Sequence, residues 1–212
     1  FEKKHAHWHR LIHYIYKSSH FPIYENTQGE YLESGEKKFE VMVDILEKAE
    51  KFIFLEYFII KESYMWDVIY EILERKVQEG VDVRVIFDDW GCSLYPHLEK
   101  DLEEIGVKVV VFNPLVPRLA VHMNNRDHRK IVVVDGRYGI VGGINLADEY
   151  INRIERFGHW KDTAVLIEGE AVHSLTLMFL QIYSYYTEER DNPDEFRYDF
   201  PIDFKANGFV MP

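Results

Sequence analysis

The residues best suited to chemistry lie in one short run, where His128, Lys130 and Asp135 follow the spacing H-x-K-x4-D. After six further residues comes the motif G-G-x-N, which begins at Gly142 and ends at Asn145. Because the run is rich in β-branched residues, we predict a strand that directs His128 and Lys130 to the same face. A neutral imidazole can attack phosphorus, while an ammonium and a carboxamide bind the phosphate oxygens. The spacing therefore indicates phosphoryl-transfer chemistry.

Strand and helix signals alternate around this run. We predict strands at 29–33, 52–60, 81–88, 107–112, 131–134, 138–141 and 164–167, and helices around 39–46 and at 64–79, 96–105 and 171–186. This order predicts an α/β layered domain in which a mixed or parallel β-sheet is flanked by helices.

The two ends of the chain differ from this domain. An amphipathic helix is predicted within residues 1–22, with His5, His9 and His13 on one face, and we interpret these histidines as surface or packing residues rather than a metal site. Residues 191–212 have no clear period and are predicted to be a linker. The chain opens with Phe1 and shows neither a signal peptide nor a spanning helix, so we expect it to be a piece of a longer protein.

The net charge of the chain restricts the functions that it can have. The net charge is −12, with 25 lysines and arginines against 37 acids, which disfavours nucleic-acid binding. An anionic lipid would need a local basic patch supported by apolar contacts, and residues 126–130 supply such a patch; the alternative is a solvated charged turn. Cys92 is the only cysteine, so no intrachain disulfide can form and a reactive thiol is not expected.

Four elements together resemble the phospholipase D superfamily and, within it, the bacterial cardiolipin synthases. They are the H-x-K-x4-D-x6-G-G-x-N core, its extension to N-L-A-D-E-Y at 145–150, F-G-H-W-K-D-T at 157–163 and F-L-E-Y-F at 54–58. The resemblance extends from about residue 24 to residue 186. The alternative is that His128 and Lys130 are surface residues of an edge strand without a function. However, H-x-K-x4-D followed by G-G-x-N occurs by chance much more rarely than H-x-K-x4-D alone.

The resemblance implies that two such motifs build one active site, in which one histidine attacks phosphorus and the other protonates the leaving oxygen. The motifs lie in two halves of a long chain or in two copies of a short one, and this sequence contains only one. We therefore interpret 23–190 as the first catalytic half. The implied reaction makes cardiolipin from two molecules of phosphatidylglycerol through a phosphohistidine, without metal or cofactor. The implied partners are anionic phospholipids, the surface of the bacterial cell membrane, and a second half-domain or a homodimer mate, but no nucleic acid.

By motif position, the resemblance implies a role for each site residue. His128 is the nucleophile or its acid/base partner, Lys130 and Asn145 bind phosphoryl oxygens, and Asp162 lies behind the imidazole to fix its tautomer. Asp135 is grouped with the catalytic residues, although we expect it to order the strand and loop rather than to touch substrate. Gly142 and Gly143 would let backbone approach the phosphate, and the family commonly has serine at the second of these positions.

Several readings stay open at the level of sequence. Glu56 is a polar intrusion in an apolar strand and is expected near the pocket, whereas Asp88 and Asp89 are interpreted as a solvated strand end that caps a helix. Asp148 and Glu149 either begin a helix or contact substrate. The apolar stretch 111–123, which includes Arg118, either contacts a membrane or packs on protein. The rival functions are a phospholipase D-type phosphodiesterase and a catalytically silent interaction module.

Overall fold

The computed structural model describes residues 8–115 and 125–197, together with 199, 201, 204, 206 and 208–212. The strands in these residues are β1 Thr27–Leu32, β2 Phe52–Tyr57, β3 Asp82–Asp88, β4 Lys108–Phe112, β5 Ile131–Val134, β6 Tyr138–Gly142 and β7 Ala164–Gly169. The α-helices are α1 His9–Ser19, α2 Gly35–Glu47, α3 Tyr64–Gln78, α4 Leu98–Glu104 and α5 Val172–Thr187. Two short 3-10 helices span Asp148–Ile151 and Pro193–Phe196.

The strands form one mixed sheet in the order β1-β7-β6-β5-β2-β3-β4. Strands β2, β3 and β4 are parallel, because α3 and α4 return the chain to the same edge between them. The other four strands run antiparallel to their neighbours. The prediction of an α/β layered domain with a mixed sheet is confirmed.

Side chains that alternate along the strands fill two cores, one on each face of the sheet. In β2, Ile53 and Leu55 pack with α2, α3 and α4, whereas Phe52 and Phe54 pack with α5. Such alternation is what a strand buried on both faces requires, and it explains why β2 reads as a continuous apolar run.

The predicted strand 131–134 matches β5, but His128 and Lys130 lie just before it rather than within it. The ladder between β5 and β2 begins where Ile131 pairs with Glu56, and β2 ends one residue later at Tyr57. The residues before Ile131 therefore lack a strand partner on that side. His128 and Lys130 therefore belong to the segment that leads into β5, and the prediction that they lie within the strand is wrong.

The tail that was predicted as a linker packs on the domain where the structure describes it. The guanidinium of Arg84 lies 2.6 Å from the Asp191 carboxylate and stacks between the rings of Phe54 and Tyr183. Val210 forms an isolated β-bridge with Tyr24. None of the helices in the described residues has the length and apolar character needed to cross a bilayer.

Asp135 lies just beyond the far end of β5 and fastens the turn there to the start of β2. Its carboxylate accepts hydrogen bonds of 2.8 Å each from the backbone N–H groups of Glu50, Lys51 and Phe52. Its backbone adopts a left-handed φ of 54°, which aspartate tolerates better than most residues. Asp135 is thus a structural residue, and its grouping with the catalytic residues is corrected, because His128 lies at the other end of the strand.

Substituting Asp135→Asn should destabilise the protein by about 1–3 kcal/mol, because an amide has one acceptor oxygen and meets a backbone donor with an NH2 group. Asparagine also tolerates the left-handed backbone, so the loss isolates the hydrogen bonds. Urea denaturation measures the change in the free energy of unfolding. The exposed Asp44, which pairs with Lys48, provides the control Asp44→Asn. Equal stability of the two variants would contradict the structural role of Asp135.

Candidate active site

Three chain segments meet at one edge of the sheet, where β2 ends, β5 begins, β6 ends and β7 begins. The register pairs Ile131 with both Glu56 and Val141, and pairs Gly142 with Ala164. The approach to β5 carries His128 and Lys130, the loop after β6 carries Asn145, and the residue two before β7 is Asp162. The antiparallel pairing therefore gathers residues that are up to 34 positions apart in sequence.

His128 and Lys130 share one neighbour, the ring of Phe58 just after β2. The imidazole lies 4.8 Å from that ring, and the ammonium of Lys130 lies 5.3 Å from its centroid. Lys130 is buried and donates a 2.6 Å hydrogen bond to the carbonyl of His128. The two side chains thus flank one aromatic ring, with the imidazole exposed at the edge.

Burial and charge tune both groups toward neutrality. The pKa of His128 lies below its ordinary value, because partial burial and the charge of Lys130 disfavour the imidazolium, while Asp127 and Asp88 act in the opposite sense. Burial lowers the pKa of Lys130 to about 8, against the pull of Asp127, Asp162 and Asp88. At neutral pH the site therefore holds a mostly neutral imidazole beside a mostly charged ammonium group. This combination suits attack on the phosphorus of an anionic phosphate group.

Asn145 is buried and joins two loops at the site. Its Oδ1 accepts a 3.0 Å hydrogen bond from the N–H of Ile59, and its Nδ2 donates one of 3.0 Å to the hydroxyl of Tyr150. An NH2 group carries two hydrogens, so one donor is left for a phosphoryl oxygen. Asn145 thus positions the loop that follows β2, and its phosphate contact stays a prediction.

The two glycines allow the end of β6 to pack closely against the residues before β7. A side chain at Gly142 would lie 2.6 Å from the Cβ of Ala164, and one at Gly143 would lie 2.4 Å from Oδ1 of Asp162. At Gly143 the space for a side chain is taken by the Asp162 carboxylate, so a larger residue there needs that carboxylate to shift. The predicted approach of backbone to phosphate is a separate matter and stays a prediction.

Asp162 interacts with two lysines and with the residues next to it in the chain. Its carboxylate accepts hydrogen bonds from the backbone N–H of Thr163 at 2.7 Å and from the indole of Trp160 at 3.3 Å. It interacts electrostatically with Lys130 and with Lys38, a buried residue of α2. Among the contacts of the described residues none joins Asp162 to His128, and the role of Asp162 in orienting the imidazole stays a prediction.

Sequence reasoning missed Lys38 and Asp127. Lys38 is buried on α2 together with Met42, Ile45 and Leu46, and the signal available was a lysine at helical spacing within that apolar stripe. Asp127 is buried and directly precedes His128. The signal for Asp127 was an acidic residue among basic ones at 126–130, because a solvated basic turn needs no acid at that position.

Buried carboxylates fix the segment that leads to His128. Asp88 is fully buried and accepts hydrogen bonds from the N–H groups of Trp90, Gly91 and Asp127 at 3.0–3.1 Å, and Arg126 lies 3.3 Å from its Oδ1. The expectation that Asp88 is solvated is therefore wrong, because β3 ends inside the domain. Its side chain caps the turn that follows β3 rather than the helix that was predicted, because α4 begins only at Leu98.

Glu56 and Asp127 form a second buried group, next to Asp88. Nε of Arg129 lies 2.6 Å from Oε1 of Glu56 and 3.1 Å from Oδ1 of Asp127. The pKa of Glu56 is raised to about 9, mainly by burial and partly by a hydrogen bond and charge repulsion from Asp127, while Arg129 opposes the rise. Two carboxyl groups against one guanidinium thus retain a proton, and Glu56 does lie near the pocket, as expected.

The remaining candidates have mainly structural contacts. Asp148 accepts a 2.9 Å hydrogen bond from the N–H of Met65 at the start of α3, and it begins a 3-10 helix. Glu149 is buried and pairs with Lys61 and Arg156. The predicted membrane or protein contact of 111–123 rests largely on 116–124, which lie outside the described residues, as does His5 of the predicted histidine stripe.

Comparisons with known proteins give consistent similarities. A family profile described as "Cardiolipin synthase, PLD-like domain" matches residues 42–176. An uncharacterized protein of Streptococcus mutans is 50% identical over 213 residues, which cover 100% of this chain and 46% of the relative. A cardiolipin synthase of Geobacillus thermodenitrificans is 40% identical over 182 residues, covering 85% of this chain and 36% of the relative. This chain therefore spans less than half the length of these relatives.

A solved structure supports the fold. The phospholipase D family member Nuc of Salmonella typhimurium superimposes with a TM-score of 0.55 at 17% identity. The match covers 81% of this chain and 99% of Nuc. The likeness is to the fold alone, and it extends over essentially all of the Nuc chain.

Replacing Glu56 with glutamine should make the stability difference from wild type depend on pH. Glu56 keeps its proton when folded up to about pH 9 but loses it near 4.5 when unfolded, so its contribution to stability is lost as pH rises through this range. The glutamine side chain does not titrate, so Glu56→Gln should gain roughly 1 kcal/mol or more relative to wild type between about pH 5 and about pH 8. Urea denaturation at both pH values measures this. The exposed Glu71 gives the control Glu71→Gln, and equal behaviour of the two variants would contradict the buried carboxyl pair.

Proposed function

The chain belongs to the family of cardiolipin synthase, phospholipase D-like domains, and from this membership we propose that it is the first catalytic half of a phosphatidyltransferase. The enzyme would make cardiolipin from two molecules of phosphatidylglycerol. One observation supports this most directly: His128 and Lys130 meet the loop of Asn145 at one edge of the sheet. Phosphoryl transfer needs this combination of a nucleophile and donors around one phosphorus.

In the first step, a neutral nitrogen of His128 attacks the phosphorus of phosphatidylglycerol. A P–N bond forms and the P–O bond to the glycerol head group breaks, so the glycerol oxygen leaves and takes up a proton. Lys130 and the remaining N–H of Asn145 bind the non-bridging oxygens, where negative charge accumulates in the transition state. The lowered pKa of His128 favours this step, because only the unprotonated imidazole is a nucleophile.

In the second step, the primary hydroxyl of another phosphatidylglycerol attacks the phosphatidyl-histidine. The new P–O bond forms, the P–N bond breaks, and the hydroxyl proton passes to a base. A second histidine motif would supply the proton in the first step and remove it in the second. We propose that this motif lies in a further half-domain of the natural protein or in a second copy of this chain, and that 191–212 leads toward that half.

The proposed substrate lies in a membrane, so the site must work at a lipid surface. The chain as a whole is acidic, which repels an anionic bilayer, so attraction has to come from local groups. Arg153 and Arg156 have half-exposed side chains and lie within 4.8 Å of an aromatic ring centroid, in the loop before β7 at the same edge of the sheet as His128. Arginine beside an aromatic ring suits the boundary between head groups and acyl chains. We propose that the catalytic domain acts at the surface of the bacterial cell membrane.

Hydrolysis is the second candidate, and one observation favours it. The imidazole of His128 is exposed, so water can reach a phosphorus that is bonded to it. If water replaces the second lipid alcohol, the product is phosphatidic acid rather than cardiolipin. A silent interaction module would give neither product.

The substitution His128→Asn should reduce cardiolipin formation by about a thousandfold or more, because the nucleophile is lost while the size of the side chain is nearly kept. The measurement uses the natural full-length protein with vesicles of phosphatidylglycerol, and lipid extraction followed by mass spectrometry identifies the products. The exposed His13 of α1 provides the control His13→Asn, which should keep wild-type activity.

The product decides among the three functions. Cardiolipin that depends on His128 supports the transferase. Phosphatidic acid without cardiolipin would replace it with the hydrolase. Turnover that survives His128→Asn would contradict the role of His128 in either enzyme.

A further inference from the structure

Helix α2 buries a lysine at the candidate active site that no motif includes. Lys38 is 1% exposed and lies on the face of α2 that packs against the sheet. Its neighbour Lys37 points outward and pairs with Glu40 at 3.1 Å. Burying an ammonium group costs free energy unless acceptors or opposite charges stabilise it. The groups that contact Lys38 therefore indicate its role.

Every polar or charged group described around Lys38 belongs to the site. Its Nζ donates a 3.2 Å hydrogen bond to the carbonyl of Ile144 and lies 5.1 Å from the centroid of the Tyr57 ring. Asp162 attracts the ammonium, and Lys130 repels it. Ile144 stands between Gly143, which touches Asp162, and Asn145.

We propose that Lys38 is a positioning residue of the phosphate site, which fixes the Gly143–Asn145 loop through the Ile144 carbonyl and adds a second buried positive charge behind the bound anion. The inference rests on the proposed function, because it takes the ligand to be a phosphate group. Lys38 is too deeply buried to touch substrate. It acts through the loop and through its charge.

A bound anion would change the charge around both buried lysines. Lys38 interacts with one carboxylate, Asp162, and with one ammonium group, Lys130, whereas Lys130 is also attracted by Asp127 and Asp88. Without ligand, burial and the repulsion between the two ammonium groups favour loss of the Lys38 proton. The pKa of Lys38 is lowered to about 7, mainly by burial and partly by the charge of Lys130, while Asp162 opposes the change. A bound dianion reverses this preference. By linkage, anion binding draws a proton into the site, and protonation strengthens anion binding by the same factor.

The chain offers a matched control for a purely structural role. Lys76 of α3 is also buried, and its Nζ donates a 3.0 Å hydrogen bond to the carbonyl of Ala49 and a 2.8 Å hydrogen bond to Glu79. It lies at the far edge of the sheet, near Asp135. Losing a buried lysine–carbonyl bond is thus common to Lys38→Met and Lys76→Met, but only the first removes charge from the site.

The test measures binding of tungstate, a phosphate mimic that stays a dianion between about pH 6 and about pH 9. Titration calorimetry of the 212-residue chain, in two buffers that differ in protonation enthalpy, gives both the affinity and the number of protons taken up. At about pH 8, Lys38→Met should bind roughly tenfold more weakly than wild type and take up fewer protons. Lys76→Met and Lys37→Met should stay within about twofold of wild type.

The variant Lys38→Arg covers the case in which methionine prevents folding. Arginine keeps its charge throughout this pH range, so tungstate affinity should fall less steeply with rising pH than in wild type. The proposal is overturned if Lys38→Met keeps wild-type affinity and proton uptake, if Lys38→Arg keeps the wild-type pH dependence, or if wild type binds tungstate without taking up protons.

Failure of the proposed function gives a different result. Tungstate binding requires neither lipid nor a second catalytic half. Proton-coupled binding that depends on Lys38 in a protein whose full-length form makes no cardiolipin would overturn the transferase alone. Absence of tungstate binding to wild type would overturn the inference about Lys38 alone, because cardiolipin formation that depends on His128 in the full-length protein would still support the transferase.

Discussion

The constraint on which the site depends is that like charges are buried together at one edge of a sheet. Lys38 and Lys130 both interact with Asp162 and repel each other, and because both side chains are buried, solvent screens this repulsion little. Such an arrangement is unfavourable in isolation, and a bound anion would make it more favourable. This is the physical basis of our proposal that the acidic chain binds a phosphate group beside the exposed imidazole of His128.

A second set of buried charges holds the first one in place. Asp88 accepts a hydrogen bond from the backbone N–H of Asp127, and Arg129 forms ion pairs with both Asp127 and Glu56. The segment that leads to His128 is therefore held against the ends of β2 and β3. This segment has no strand partner on the β2 side, so hydrogen bonds and ion pairs of side chains hold it instead of backbone hydrogen bonds between strands. The carboxyl groups thus explain how a segment outside the strand can hold the backbone next to His128, the proposed nucleophile, in one position.

The apolar pattern allowed much of the fold to be predicted, and burial of polar residues explains what was missed. β5 was predicted at its observed bounds because four β-branched residues between a basic run and a turn permit little else. Lys38, Asp88 and Asp127 were missed or misjudged because residue type does not reveal burial, which depends on how distant strands pair. The partnership of Asp162 with His128 stays a prediction, because the contacts that the structure gives Asp162 are with Trp160, Thr163 and the two lysines.

The central claim is that His128 forms a covalent bond to phosphorus. The most direct test is to mix the natural full-length protein with phosphatidylglycerol, stop turnover with alkali, in which a phosphoramidate survives, and determine the mass of the peptide that contains His128. The account predicts a phosphatidyl or phosphoglycerol adduct on His128, or on its partner histidine with His128 then required for the adduct to form. A working enzyme that carries no adduct on either histidine would contradict it.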